Sequence, residues 1–310
     1  MKNDFYSISS DALIQQSPGS DKTALVLGGG GARGYTHLGV AQALEEIGVE
    51  PDIVVGTSMG AVIGAAVANR ANLDGMLKVM KRLDINDILK ISRESRRELQ
   101  KLIGKSLVRE IVARRRENNE TDETPVKLTR VFTLFKLMTK NSSIEDLKID
   151  YAAIATDLEK GGEVVLKSGK VYRAAAASSA IPGFIPPVKL DGRTLVDGGV
   201  VDVLPILPAL AMGAERVLAV DVSEKLNQEL SSNPLSLFYR TSSIRQKELV
   251  NMKISIARRK LGEKLEILRP PVNELNWLDF NEVEKAASLG RSYTRERSSR
   301  VEEVLSGVAE

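Results

Sequence analysis

Cysteine is absent from this 310-residue chain, and histidine and tryptophan occur once each. Without cysteine there is no disulfide framework, no thiolate metal site and no cysteine nucleophile, a composition that fits a reducing compartment. With His37 as the single histidine, a histidine-rich metal site is excluded, and any Ser-His-Asp arrangement has to use that residue. Aromatic residues are only 4% of the chain, and none lies between Tyr35 and Phe132. The basic stretch in that interval therefore has nothing to stack on a single-stranded base, and no nucleic-acid partner is expected. Long apolar runs are missing too: the most apolar one, residues 200–212, contains Asp202 and two prolines, short of the ~18 residues of a membrane span. Residues 1–22 are polar, interrupted by Asp4 and Asp11, and lack the apolar core of a secretory signal. The expectation is a cytoplasmic protein, soluble or touching the inner face of a membrane, with no metal and no cofactor.

A hydrophobic fraction of 43% suits a buried core, and a net charge of +3 is too small to name a partner. The stretch around which the rest is organised is Asp52-Ile53-Val54-Val55-Gly56-Thr57-Ser58-Met59-Gly60, continuing into the small apolar residues of 61–68. A short β-branched run, a glycine, a serine two residues on and a second glycine before a helix of small side chains describe a strand–nucleophile–helix elbow. Its glycines leave room for neighbouring backbone, and its serine stands at a helix N-terminus, where negative charge is stabilised. Taken alone, G-x-S-x-G also arises by chance or for packing.

Upstream, Thr23 to Leu27 reads as a buried strand running into Gly28-Gly29-Gly30-Gly31-Ala32-Arg33-Gly34, followed by a helix with Val40, Ala43, Leu44 and Ile47 on one face and Gly48 at its end. Strand, glycine loop, helix, strand, elbow and helix imply a parallel sheet with its site at the strands' carboxyl ends. The loop also satisfies the dinucleotide fingerprint at Gly29, Gly31 and Gly34. A nucleotide fold, however, needs an acid at the end of the second strand, where this chain has Gly56-Thr57-Ser58. The other use of such a loop is an oxyanion hole.

Residues 72–148 are basic and helical in pattern, with Leu99, Ile103, Leu107 and Ile111 on one face. Their cations suit first a solvated surface, next a face toward anionic lipid heads, and last a nucleic acid. Residues 126–140 could lie in a membrane interface, cap an acyl pocket or pack on the core. Farther on, 150–156, 163–166, 216–220 and 265–268 read as strands, 244–261 and 282–305 as helices serving packing. An alanine-rich run from Ala174 leads to Leu195-Val196-Asp197-Gly198-Gly199, an acid at a strand end in a glycine turn. Asp157, Asp202 and Asp221 are rival acids, and His37 a rival base.

With these elements in hand, the chain resembles the patatin-like phospholipases, particularly the short bacterial members. Gly29-Gly30-Gly31-Ala32-Arg33-Gly34 matches that family's oxyanion motif, Gly56 to Gly60 its nucleophile motif and Asp197-Gly198-Gly199 its acid motif, with Ala177 to Gly183 similar to the stretch before the acid. The resemblance implies a three-layer α/β fold, with a mostly parallel central sheet, helices on both faces, a helical basic insertion and C-terminal helices. It divides the chain into a polar leader (1–22) and one patatin-like domain (23–310), whose variable parts are 72–148 and 222–310. It also implies lipid acyl hydrolysis by a Ser–Asp dyad without histidine or metal. Ser58 is then the nucleophile and Asp197 its base, with the amides around Gly29, Gly30, Gly31 and Met59 as oxyanion donors. Arg33 holds the loop's shape or meets a substrate phosphate. The expected partners are a lipid or acyl-ester substrate and an anionic membrane surface. The competing expectation is a membrane- or partner-binding protein with a vestigial dyad.

Overall fold

The computed structural model describes residues 21–82, 127–223, 234–276 and 279–306. The leader and most of the basic insertion, including Leu99, Ile103, Leu107 and Ile111, lie outside the described residues. Among the described residues, eight strands form one sheet in the order β5-β6-β3-β2-β1-β7-β8, with β4 paired to β3. They are β1 (Lys22–Leu27), β2 (Ile53–Thr57), β3 (Asp150–Asp157), β4 (Glu163–Leu166), β5 (Val188–Leu190), β6 (Arg193–Asp197), β7 (Ala214–Val220) and β8 (Leu265–Leu268). The helices are α1 (Thr36–Ile47), α2 (Met59–Ala68), α3 (Leu73–Arg82), α4 (Leu128–Met138), α5 (Val171–Ser178), α6 (Ile206–Ala211), α7 (Pro234–Leu261), α8 (Val283–Arg295) and α9 (Ser298–Ser306).

The apolar stretches of β1, β2 and β7 are buried on both faces, as parallel strands under two helical layers must be. Alternation divides the core. Leu25 and Leu27 of β1 point to the layer holding α1, α2, α5, α8 and α9, while Ala24 and Val26 point to α6 and α7. The fold is thus three-layered, as expected, with β3-β2-β1-β7-β8 parallel. The other side of the sheet is not parallel: β4 and β6 run antiparallel to β3, and β5 pairs with β6 in a hairpin. Asp191 and Gly192 close that hairpin with φ values of 49° and 75°, the left-handed pair that a tight two-residue turn requires.

One expectation needs adjustment and two others take definite form. Residues 282–305 form two helices, α8 and α9, because the chain turns at Glu296 and Arg297, where the Arg297 guanidinium sits 3.6 Å from the centroid of the Tyr293 ring. Of the three options for residues 126–140, α4 takes the packed one for Val131, Leu134 and Phe135, which are buried in the core, while Leu137 stays exposed. The C-terminal segment is built into the sheet layer through β8, and α8 crosses α1 so closely that side chains at Gly39 and Gly290 would overlap the facing backbone.

Candidate active site

Register alone brings two strand ends together. Strand β2 runs along β3 as far as the pair Thr57–Ile154, and β6, running the opposite way, ends at the pair Ala155–Asp197. Adjacent residues of β3 therefore hold the carboxyl ends of both strands, and with them Ser58 and Asp197.

Ser58 sits between β2 and α2 with φ 55° and ψ −124°, a conformation that costs an L-residue of order 1–3 kcal/mol. The surrounding structure imposes it. A Cβ on Gly56 would overlap the Gly60 carbonyl, and one on Gly60 would overlap the Leu27 carbonyl, so the elbow closes only with glycine at both positions. The Ser58 amide donates to Ser178 Oγ at 2.9 Å, and Ser178 Oγ donates in turn to the Ile154 carbonyl at 2.6 Å.

Asp197 is buried, and its own amide donates to the Ala180 carbonyl at 2.9 Å. Its Oδ1 accepts the Gly199 amide at 2.7 Å. Burial is the largest influence on the carboxyl and pushes it up to about 6 from the usual carboxylate range; a hydrogen bond with the Ser58 side chain and the Gly199 amide pull the other way. The Ser58 hydroxyl, far away in sequence, is thus near enough to bear on the ionisation of the Asp197 carboxyl.

The glycine loop passes beside them. A Cβ built on Gly29 would lie 3.5 Å from Ser58 Cβ. The Gly28 amide donates to Val220 O at 3.0 Å and the Gly29 amide to Val203 O at 2.8 Å, so Gly29, expected as an oxyanion donor, instead anchors the loop. Gly31 has φ 58° and opens a short 3-10 turn, Gly31–Tyr35. Among the described residues, the amides of Gly30, Gly31 and Met59 donate to no protein acceptor, and Met59 is the first residue of α2. Arg33 is buried and its Nε donates to the Leu275 carbonyl at 2.9 Å, which favours the shape-holding of the two roles expected for it.

His37 lies fully buried on α1, its Nε2 2.7 Å from the Gly28 carbonyl. A carbonyl only accepts, so Nε2 carries the hydrogen. Burial holds this imidazole down to about 4, keeping it neutral, and it serves the loop as a brace. The rival acids have other employment. Asp157 Oδ1 accepts the Glu159 and Lys160 amides, each at 3.0 Å, and Asp221 binds Ser223 and Arg269. Asp202 lies 2.7 Å from Lys253 Nζ of α7; burial drives its carboxyl upward and Lys253 opposes this.

Sequence reasoning missed the supports. Ser178 looked like one more small residue in an alanine-rich run. Thr57 Oγ1 donates to the Asp202 carbonyl at 2.8 Å, and Gln246 of α7 donates to the Gly199 carbonyl at 2.5 Å, tying the elbow, the acid turn and α7 into one set of bonds.

A family model described as patatin-like phospholipase matches residues 25–210. An uncharacterized NTE family protein of Mycobacterium tuberculosis is 37% identical over 217 residues, covering 68% of this chain and 52% of that one. The human patatin-like phospholipase domain-containing protein 6 is 30% identical over 307 residues, covering 87% and 20%. The chain thus spans about half the length of the mycobacterial relative. Among solved structures, VipD from Legionella pneumophila aligns with a TM-score of 0.45 at 16% identity, covering 90% of this chain and 67% of that one. ExoU of Pseudomonas aeruginosa, in complex with SpcU, gives 0.44 at 14% identity, covering 92% and 53%. The matched segment contains the glycine loop, the elbow and the acid turn, and the chain belongs to the patatin-like phospholipase family.

Proposed function

We propose that this protein is a serine lipid acyl hydrolase of the phospholipase A or lysophospholipase type, acting through Ser58 and Asp197. One observation carries the reading: the register of β2 and β6 on β3 brings Ser58 and Asp197 to one place at a strained elbow, beside amides that, among the described residues, donate to no protein acceptor.

In this reading Ser58 Oγ attacks the ester carbonyl carbon while Asp197 takes the hydroxyl proton. The carbonyl π electrons move onto oxygen, and the N–H groups of Gly30, Gly31 and Met59 receive that charge. Losing one such donor typically costs ~10²–10³ in rate. The tetrahedral adduct collapses, the C–O bond to the alcohol breaks, and the departing alkoxide takes the proton from Asp197. Water then repeats the sequence on the acyl-serine, releasing the fatty acid and restoring Ser58. An ordinary carboxylate is a feeble base for serine; burial that raises Asp197 to about 6 brings it nearer the optimum for a base working at neutral pH.

The substrate is an acyl ester presented at a lipid surface, and peripheral contact with anionic membrane belongs to the same reading. Among the described residues, no helix is long and apolar enough to cross a membrane. The test is fatty-acid release from a panel of phospholipids and lysophospholipids, run beside Ser58→Ala. Release by the wild type and none by the variant is expected. No release from any acyl ester, or equal release by Ser58→Ala, overturns the proposal.

A further inference from the structure

Helix α7 is 28 residues long, and only part of its circumference is packed. Val250, Ala257 and Leu261 are buried against β7, β8 and α6, and Gln246 and Lys253 on the same face reach the carbonyls of Gly199 and Val201. Positions 246, 250, 253, 257 and 261 follow the i, i+4, i+7 spacing of a single helical stripe. On the rest of the helix, Ile244, Leu249, Met252 and Ile256 are exposed, Met252 by 57%. With Leu237, five of the nine large exposed apolar side chains among the described residues lie on this one helix. A sixth, Val200, is 52% exposed in the turn directly after Asp197 that α7 grips. A helix serving only to pack on the core has no use for such a face.

Charge identifies the occupant. Arg245, Lys247, Arg258, Arg259 and Lys260 are exposed, and Glu248 is the sole acid from 234 to 261. Arg245, Met252 and Arg259 follow one another at intervals of seven, so cations and apolar side chains share the outward side. A second copy of the helix would set these cations against each other. A bilayer with anionic headgroups satisfies both parts at once, with phosphates for the arginines and hydrocarbon for Leu249, Met252 and Ile256.

We propose that the outward face of α7 docks the protein on an anionic lipid surface, with Ile244, Leu249, Met252 and Ile256 entering the interface beside the Ser58–Asp197 site. This rests on the lipid-hydrolase reading for its purpose, though not for its test. It assigns the membrane contact to α7, whereas the sequence suggested the basic insertion. The hydrogen bonds from Gln246 and Lys253 to the turn after Asp197 make the membrane-facing helix and the acid one mechanical unit.

Flotation of the full chain with phosphatidylcholine vesicles, with and without phosphatidylglycerol, tests the proposal. Wild type is expected to bind the anionic vesicles more tightly and to lose that advantage in high salt. M252E/I256E lowers the vesicle affinity about tenfold or more. R258Q/R259Q lowers it by about fivefold per charge removed. Thermal melting confirms that both variants are folded, and their hydrolysis of a soluble short-chain ester stays at the wild-type level. Ser58→Ala binds vesicles as wild type does. Equal vesicle binding by wild type and M252E/I256E overturns the proposal, as does a wild type that binds neither vesicle. So does a dimer in solution that M252E/I256E dissociates. Vesicle binding that requires Met252 and Ile256, with no hydrolysis of any ester, leaves the docking face standing and removes the hydrolase reading.

Discussion

The amide of Ser58 donates to the hydroxyl of Ser178 at 2.9 Å, and both residues are buried. The strained Ser58 is thus held by a residue 120 positions away, which passes its own hydrogen to the Ile154 carbonyl. Ile154 pairs with Thr57 across the sheet, and a side chain at Gly198 would overlap its carbonyl. One serine therefore links elbow, central strand and acid turn.

Ser178→Ala should leave a buried N–H and a buried C=O without this partner, costing about 1–3 kcal/mol of stability. The elbow is also freed to relax, so kcat is expected to fall about tenfold or more with KM nearly unchanged. Chemical denaturation and steady-state kinetics on one acyl ester check both parts. An unchanged kcat would show that the Ser178 bond does not position the nucleophile.

Two glycines separate steric need from backbone need. Gly60→Ala forces a Cβ into the Leu27 carbonyl and should cost about 4 kcal/mol or more, or prevent folding. Gly48, at the end of α1 with φ 81° and open space around it, should cost only about 1–2 kcal/mol when replaced by alanine. Similar losses in the two variants would contradict the close approach at the elbow.

Activity should follow the ionisation of Asp197. The base must be unprotonated, so kcat/KM is expected to rise with pH through about 6 and level off above. His37→Gln keeps a side-chain N–H available for the Gly28 carbonyl and should leave that inflection in place. Loss of the inflection in His37→Gln would return the histidine to the mechanism.

The same buried carboxyl has a stability signature of opposite sign to a salt-bridged one. Its pKa is about 6 folded, against ~3.9 unfolded, so the native state holds the proton more tightly and stability falls as pH rises between those values. The two-unit gap corresponds to about 3 kcal/mol. Asp197→Asn removes that penalty: it should stabilise the fold by about 2–3 kcal/mol at about pH 8, with the gain shrinking toward zero below about pH 4. Urea titrations at both pH values measure it. A loss of stability at the higher pH would mean that the carboxylate is favourably solvated in the fold.

Much of this arrangement is legible in the chain because it rests on local rules. The buried stretch 23–27 and the β-branched run 53–55 become strands, Gly48 ends α1 in the left-handed conformation, and Gly56 and Gly60 bracket the elbow. Asp197 stands out from Asp157, Asp202 and Asp221 because only it precedes two glycines at a strand end. Ser178, Gln246 and Lys253 were not legible, because each acts through a partner distant in sequence and none sits in a telling local pattern. The Gly29 amide misled for a related reason: a glycine loop announces that backbone comes close to something, and the Val203 carbonyl that takes that amide is distant in sequence. The break between α8 and α9 carries neither proline nor glycine, so the apolar pattern runs on without it.

The central claim is that Ser58 Oγ is an activated nucleophile with Asp197 as its base. A fluorophosphonate probe followed by peptide mass mapping measures this directly. The adduct is expected on Ser58 alone, at a rate that rises through about pH 6 and is strongly reduced in Asp197→Asn. An adduct on another residue, labelling that persists in Ser58→Ala, or an Asp197→Asn rate equal to wild type would contradict the account.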